Sequence, residues 1–314
     1  MTDPSHPDQP PPTERTPPAG PRVGIVVITY SPGETLDAFL DSLPAATTSP
    51  PFVVMADNGS TDGSVERAAE RPDAPTLLRT GGNIGFGSAG NAGAAVLPDS
   101  VEYLVIANPD LRFGARSLDL LVEVADQHPD AALFGPAIRT PDGKLYPSAR
   151  RLPSITDGIG HAMVGWLWPR NPWTRRYRAE DDQVALREAG WLSGACLLIR
   201  RAAFEQIGGF DERYFMYFED VDLADRMHGA GWRTLYAPQA QVEHVGGHST
   251  SRHQHRMLTE HHRSAYRYLA DRHPARWQGP LRLVLKAGLA ARTFVATRSE
   301  RVAAGAEIQG EPEL

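Results

Sequence analysis

The sequence predicts an α/β fold, a mostly parallel central sheet with helices on both faces. Two observations carry this prediction. Several short apolar runs rich in Val and Ile are unbroken by polar residues, the pattern of strands buried on both faces. Segments with helical spacing of apolar residues alternate with those runs, as parallel strands joined by crossover helices require. With 314 residues, 41% of them hydrophobic, the chain can bury a full core.

Residues 1–21 contain eight prolines among Asp, Thr and Ser, and read as a disordered leader. Val23–Tyr30 is the first strand. Leu36–Leu43 follows as a helix, with Leu36, Phe39, Leu40 and Leu43 on one side. Phe52–Ala56 is a second strand ending at Asp57-Asn58-Gly59-Ser60, and a helix then opens near Thr61 and runs through Ala69. Leu77–Arg79 is a third strand, Ser88–Val96 a helix, and Tyr103–Ala107 a fourth strand ending at Asn108-Pro109-Asp110. After residue 140 the pattern changes. Pro147–Pro153 and the segment holding Trp166, Trp168 and Trp173 are loop-rich and aromatic. Ala195–Arg200 and Thr234–Tyr236 are strand-like, while Leu223–Ala230, His255–Leu269 and Leu281–Ala296 are helical. From about Arg298 the end frays.

A net charge of −6 gives no reason to expect nucleic-acid binding. The single cysteine, Cys196, excludes an internal disulfide, fits a reducing compartment and reads as a small buried strand residue. No run reaches the roughly 18 apolar residues of a membrane span. The N-terminus also lacks the apolar centre of a signal peptide. A cytoplasmic location is therefore expected.

Phe218-Glu219-Asp220-Val221-Asp222 places three carboxylates in four positions. Ionised carboxylates so close repel unless a cation, a proton or an acceptor hydroxyl shares the site. The same residues also suit a helix N-terminus ahead of Leu223–Met227. Ligands of parallel sheets bind beyond the carboxyl ends of the strands, where Asp57 and Asp110 both fall, so a nucleotide site is expected there. Asp57 can accept the ring N–H of a pyrimidine, though Asp57–Ser60 would equally form an Asx turn. Asn83–Asn91 is glycine-rich and leads into a helix, so its amides either face an anion or make a plain loop. It is neither a Walker loop nor a dinucleotide fingerprint. Asn108-Pro109-Asp110 is turn chemistry that also offers a carboxylate to Mg²⁺ or Mn²⁺, with a diphosphate completing the shell. His244 is a second candidate ligand or a structural histidine. Zinc held by His244 and His248 is disfavoured without cysteine partners.

Taken in order, Thr29-Tyr30, Asp57-Asn58-x-Ser60-x-Asp62-Gly63-Ser64, Asn83-x-Gly85 with Asn91, Asn108-Pro109-Asp110, Trp191–Ala195, Gly208–Asp211 and Glu219-Asp220-x-Asp222 resemble the inverting family-two glycosyltransferases of the GT-A fold. Within that family, Gly194–Arg201 and Phe215–Asp222 are most similar to bacterial rhamnosyltransferases that use dTDP-L-rhamnose. The branch indicated acts on N-acetylglucosaminyl-diphospho-decaprenol and builds the linker between peptidoglycan and arabinogalactan.

The resemblance implies a nucleotide-diphospho-sugar donor and a polyprenyl-diphosphate-linked sugar acceptor. It divides the domain 22–270 into a nucleotide-binding half, 22–140, and an acceptor half, 141–270, with a helical extension over 271–314. Asp220 is implied as the general base, with Glu219 and Asp222 binding the acceptor or orienting the base. Thr29, Tyr30, Asp57 and Asn58 are implied to hold the pyrimidine and ribose, and Asn83 and Asn91 the ribose-phosphate side. Asn108 and Asp110 reach the donor, Asp110 and His244 the metal, and Trp191, Ser193 and Gly194 the acceptor. One departure is that Asn108 stands where the family commonly has the first Asp of Asp-x-Asp.

A membrane-held acceptor implies peripheral contact with the inner face of the plasma membrane. Leu281, Leu285 and Leu289 share a helix face for this, beside Arg282 and Lys286. The tryptophans near Arg170, Arg175 and Arg176 are a second candidate. The rivals are a UDP-sugar donor, a nucleotidyltransferase and a non-catalytic sugar-binding module. Thr29-Tyr30-Ser31-Pro32 stands where a nucleotidyltransferase carries its glycine-rich basic loop.

Overall fold

The computed structural model describes residues 20–73, 75–153, 185–246, 254–290 and 292. Residues 1–19, the tryptophans 166, 168 and 173 with their arginines, His248 and the residues after 292 lie outside the described residues.

Among the described residues the strands are β1 (Val23–Thr29), β2 (Phe52–Asp57), β3 (Thr76–Arg79), β4 (Tyr103–Ala107), β5 (Leu111–Phe113), β6 (Ala131–Arg139), β7 (Leu145–Tyr146), β8 (Ala149–Arg150), β9 (Arg187–Glu188), β10 (Trp191–Leu192), β11 (Cys196–Arg200) and β12 (Arg233–His244). The helices are α1 (Thr35–Ala46), α2 (Ser64–Ala69), α3 (Phe86–Ala94), α4 (Ser117–Gln127), α5 (Arg201–Gln206), α6 (Glu219–Gly229) and α7 (Gln254–Asp271), followed by a helix over 279–290. The main sheet runs β3-β2-β1-β4-β11-β6-β12-β5, with β7 on β6 and β9 on β12. Strands β3, β2, β1 and β4 are parallel neighbours, whereas β11 is antiparallel to both β4 and β6.

Successive residues of β1 serve opposite cores, as the pleat requires. Ile25 and Val27 pack with Leu36 and Phe39 of α1 and Leu118 and Leu121 of α4. Val26 and Ile28 pack with Ala89 of α3 and Leu223 and Met227 of α6. Helix α3 sits unusually close to the sheet. A Cβ at Gly93 would lie 2.3 Å from Val26 Cγ1, so only glycine fits there.

The register positions the site. Thr29 lies opposite Asp57, and Asp57 opposite Arg79, so three strand ends line one edge. Because β11 is antiparallel, Cys196 pairs with Ala107, bringing Trp191–Ala195 to that same edge. Strand β5 pairs with β12 so that His244 meets Leu111, the neighbour of Asp110.

Of the elements that differ from expectation, three have a plain physical reason. Helix α6 starts at Glu219 rather than Leu223, because its acidic first turn suits the positive helix end. Strand β12 has twelve residues, not three, with its ladder shifted between Ala237 and Gln241, where Pro238 cannot donate. Strand β6 was absent from the sequence reading because Gly135-Pro136 punctuates its interior as a turn would.

Candidate active site

At the nucleotide edge, Asp57 is only 1% exposed, and both its oxygens are engaged. Oδ1 accepts the Thr29 hydroxyl and the Ser60 N–H, each at 3.0 Å. Oδ2 accepts Arg79 Nη1 at 3.0 Å, and Arg79 also pairs with Glu66. Thr29 is fully buried, while Tyr30 is 53% exposed at the rim. Asn58 is buried as well, donating to the Gly85 carbonyl and accepting from Thr80. The half-exposed Arg79 is a rim cation that sequence reasoning missed. Its signal is the register position opposite Asp57, which becomes visible only once β2 and β3 are paired.

Gly85 has φ 97, and a Cβ there would lie 2.5 Å from the Phe215 carbonyl oxygen. The Phe86 N–H donates to that carbonyl at 3.0 Å, so this helix-entry amide fastens protein rather than facing an anion. Asn83 is exposed and accepts the Gly85 N–H. Asn91 clasps the 210–212 loop: its Oδ1 accepts the Phe210 N–H, and its Nδ2 donates to the Phe210 carbonyl and Glu212. Its amide is engaged in joining α3 to that loop, whereas the resemblance implies the ribose-phosphate.

Asp110 Oδ1 lies 3.0 Å from His244 Nε2. The Val245 N–H also donates to the Asp110 carbonyl, clipping the end of β12 onto this turn. Asp110 lines a cleft of about 360 Å³ together with Ser31, Gly33, Arg112 and Val245. Asn108 donates its N–H to the Ala195 carbonyl at 2.9 Å, tying this turn to the Trp191–Ala195 segment. Among the described residues no group of three or more His, Cys, Asp or Glu is gathered for a metal. One carboxylate and one imidazole at an open rim still fit an ion whose remaining positions are taken by phosphate and water, as Mg²⁺ commonly is.

The acid pair is reached through strained backbone. Tyr217 and Phe218 are consecutive non-glycine residues in the left-handed region, at φ 66 and 68, and lead directly into α6. Asp220 Oδ2 accepts the Gly194 N–H at 2.9 Å, and Oδ1 accepts the Val221 N–H at 2.8 Å. A Cβ at Gly194 would already touch that carboxylate at 3.4 Å. Glu219 is 6% exposed, and its Oε2 has no hydrogen-bond partner among the described residues. Burial raises the proton affinity of Glu219, and the charge of Asp220 adds to this. Burial also raises Asp220, opposed by the N–H groups of Gly194 and Val221 and by the charge of Arg150.

Asp222 does not join the pair. Two positions along a helix turn a side chain to about the opposite face, and its carboxylate bonds Arg226 at 2.7 Å, which in turn donates to the Ile207 carbonyl. Asp222 therefore anchors α6 through Arg226, apart from the Glu219–Asp220 pair. Trp191 packs beside Val221 and Tyr214, its indole donating to the Arg151 carbonyl. The Ser193 N–H donates to the Ser148 carbonyl, which holds the wall in front of Asp220. Cys196 is buried, and burial pushes its thiol up to about 12, as an inert strand residue requires.

At one sheet edge, then, stand a half-exposed guanidinium beside a buried carboxylate, a carboxylate–imidazole pair and a buried acid pair. That set can bind a charged leaving group and take a proton from an attacking hydroxyl.

Comparison with known proteins agrees. The sequence matches the glycosyl transferase family 2 model over residues 24–208, and a glycosyltransferase like family 2 model over residues 173–278. It is 49% identical over 284 residues to N-acetylglucosaminyl-diphospho-decaprenol L-rhamnosyltransferase of Mycobacterium tuberculosis, covering 88% of this chain and 92% of that one. It is 29% identical to rhamnosyltransferase WbbL of Escherichia coli, covering 61% of this chain and 72% of that one. Among solved structures, the mannosyltransferase PcManGT from Pyrobaculum calidifontis, in complex with GDP-Man and Mn²⁺, superposes with TM-score 0.54 at 19% identity, covering 93% and 81%. GalNAc-T7 with UDP, GalNAc and Mn²⁺ gives 0.55 at 14% identity, covering 74% of this chain and 45% of that one. These superpositions establish the α/β GT-A fold.

Proposed function

The chain belongs to glycosyltransferase family 2, and from that premise we propose that it moves L-rhamnose from dTDP-L-rhamnose to a polyprenyl-diphosphate-linked N-acetylglucosamine, in assembly of the arabinogalactan linker. The observation that carries this reading is the 49% identity over 88% of the chain to an enzyme named for that transfer.

In the mechanism, Asp220 takes the proton of the acceptor hydroxyl as its oxygen attacks the anomeric carbon, inverting it in one displacement. A positioned base of this kind contributes roughly a hundred- to ten-thousand-fold in rate. Each Asp220 oxygen retains a lone pair beyond the backbone N–H it accepts, so the hydroxyl has a place to bind. Of the two acids, Asp220 has two N–H donors and a nearby guanidinium, whereas the Glu219 Oε2 has no partner among the described residues. The proton therefore rests on Glu219, and the charge on Asp220. Asp110 and His244 would hold Mg²⁺ or Mn²⁺, which neutralises the departing nucleotide diphosphate when bound. Tyr30 and Arg79 face the nucleotide, with Asp57 holding Arg79 and Thr29 holding Asp57.

Peripheral contact with the inner face of the plasma membrane completes the proposal. No helix among the described residues is long and apolar enough to cross a membrane. Leu281, Leu285 and Leu289 are partly buried, and Arg282 donates to the carbonyls of His273 and Ala275, so that face is turned to protein. The exposed apolar residues are Trp277 at 80%, Leu283 at 68% and Val284 at 69%, with Lys286 exposed beside them. These suit an interface better than the face chosen from sequence.

The test is transfer to N-acetylglucosaminyl-diphospho-polyprenol in anionic liposomes, with dTDP-L-rhamnose and a panel of UDP-sugars, with and without Mg²⁺ or Mn²⁺. The reading expects product from dTDP-L-rhamnose, stimulated by metal, and enzyme that floats with the liposomes. Product from a UDP-sugar alone would overturn the donor. Metal-independent donor affinity would remove Asp110 and His244 from their role. No product from any donor would favour a binding module.

A further inference from the structure

Arg150 belongs to no motif in the sequence reading, yet it stands in the wall of the acid pair. Strand β8 carries it into antiparallel register with Trp191 of β10, and the Gly190 N–H closes the ribbon on the Arg150 carbonyl. Its guanidinium lies 5.7 Å from the Trp191 ring centre and 6.0 Å from that of Tyr146. Its Nε donates to the Pro147 carbonyl at 2.9 Å. Among the described residues no carboxylate lies within ion-pairing distance of it, whereas Arg71, Arg213 and Arg233 each have two or more acidic partners. An arginine held by one carbonyl and two ring faces has its plane set, and its terminal nitrogens form a fork that matches two oxygens of a carboxylate or phosphate. The ribbon continues through Ser193 into Gly194, whose N–H holds Asp220.

We infer that Arg150 binds the diphosphate of the lipid-linked acceptor while Asp220 receives a hydroxyl of the same sugar. This rests on the proposed function, in which the acceptor carries a diphosphate on its anomeric carbon, one hexose ring away from the attacking hydroxyl. Both substrates of that reaction contain a diphosphate. The donor's is expected at Asp110 and His244, across the Ser193–Ala195 segment from Asp220, and this leaves the acceptor's for Arg150.

The experiment compares wild type with Arg150→Gln and Arg150→Lys, varying acceptor at saturating donor and then the reverse. Arg150→Gln should raise the acceptor KM about tenfold or more while leaving the donor KM within about twofold. Arg150→Lys, with charge but no fork, should fall between. A second acceptor with an uncharged alkyl chain in place of the diphosphate should be poor for wild type and no poorer for Arg150→Gln, because the two deletions remove one contact. The inference is overturned by an unchanged acceptor KM in both variants. It is equally overturned by a rise in donor KM alone, or by a further loss in Arg150→Gln on the uncharged acceptor. Wild type that turns over no diphosphate-linked acceptor removes the functional reading and the inference together. Normal wild-type turnover with unaltered variants removes the inference only.

Discussion

Asp57 and Glu219 are both carboxyl groups nearly closed to solvent at the same sheet edge, but their surroundings are opposite. Asp57 has a hydroxyl, a backbone N–H and a guanidinium on its two oxygens. Glu219 has an oxygen with no partner among the described residues, a charged neighbour in Asp220, and two left-handed residues before it. A satisfied buried carboxylate adds to the order of its surroundings, whereas an unsatisfied one is retained against a cost to stability. Such costs gather where chemistry happens. The surroundings of Asp57 are thus those of a scaffold, and under the proposed function the acid pair is the machinery.

The largest effect expected from this contrast is on the machinery. Asp220→Asn should lower transfer by roughly a hundred- to ten-thousand-fold, with nucleotide affinity, measured by titration calorimetry, within a few fold of wild type. Near-normal turnover would remove Asp220 as the base and dissolve the distinction. A smaller effect is expected at the scaffold. Asp57→Ala orphans the donors of Thr29 and Ser60 and frees Arg79, and should cost about 1–3 kcal/mol in denaturant unfolding. Little of that comes from Arg79 itself, whose charge is half-exposed and screened. An Asp57→Ala protein as stable as its parent would show that the donor edge is not scaffold.

Much of this was legible in the chain. The apolar runs ending at Asp57 and Asp110, and the acidic run at Glu219–Asp222, located the sheet edge and the acid pair before any contact was known. What escaped depends on partners remote in sequence. Arg79 acquires its role only from standing opposite Asp57, and Arg150 only from standing opposite Trp191. Asn91 looked like a ligand residue because an exposed and a clasping amide read alike until the 210–212 loop folds over it. Asp222 was grouped with its neighbours by adjacency, although helix geometry turns it to the Arg226 side.

The most direct measurement is the pH dependence of unfolding for wild type and Glu219→Gln, from about pH 5 to about pH 8. Burial and the charge of Asp220 raise Glu219 above its ordinary value of 4.5, so the native chain keeps a proton that the unfolded chain releases. Stability attributable to Glu219 is then intact below that ordinary value, and falls as pH rises toward the raised native one, by at most about 1.4 kcal/mol per pH unit. Glu219→Gln cannot ionise, so its stability should exceed that of wild type by a margin that widens with pH. Parallel curves, or a variant that loses ground as pH rises, would contradict the claim that the acid pair is held at the expense of the fold.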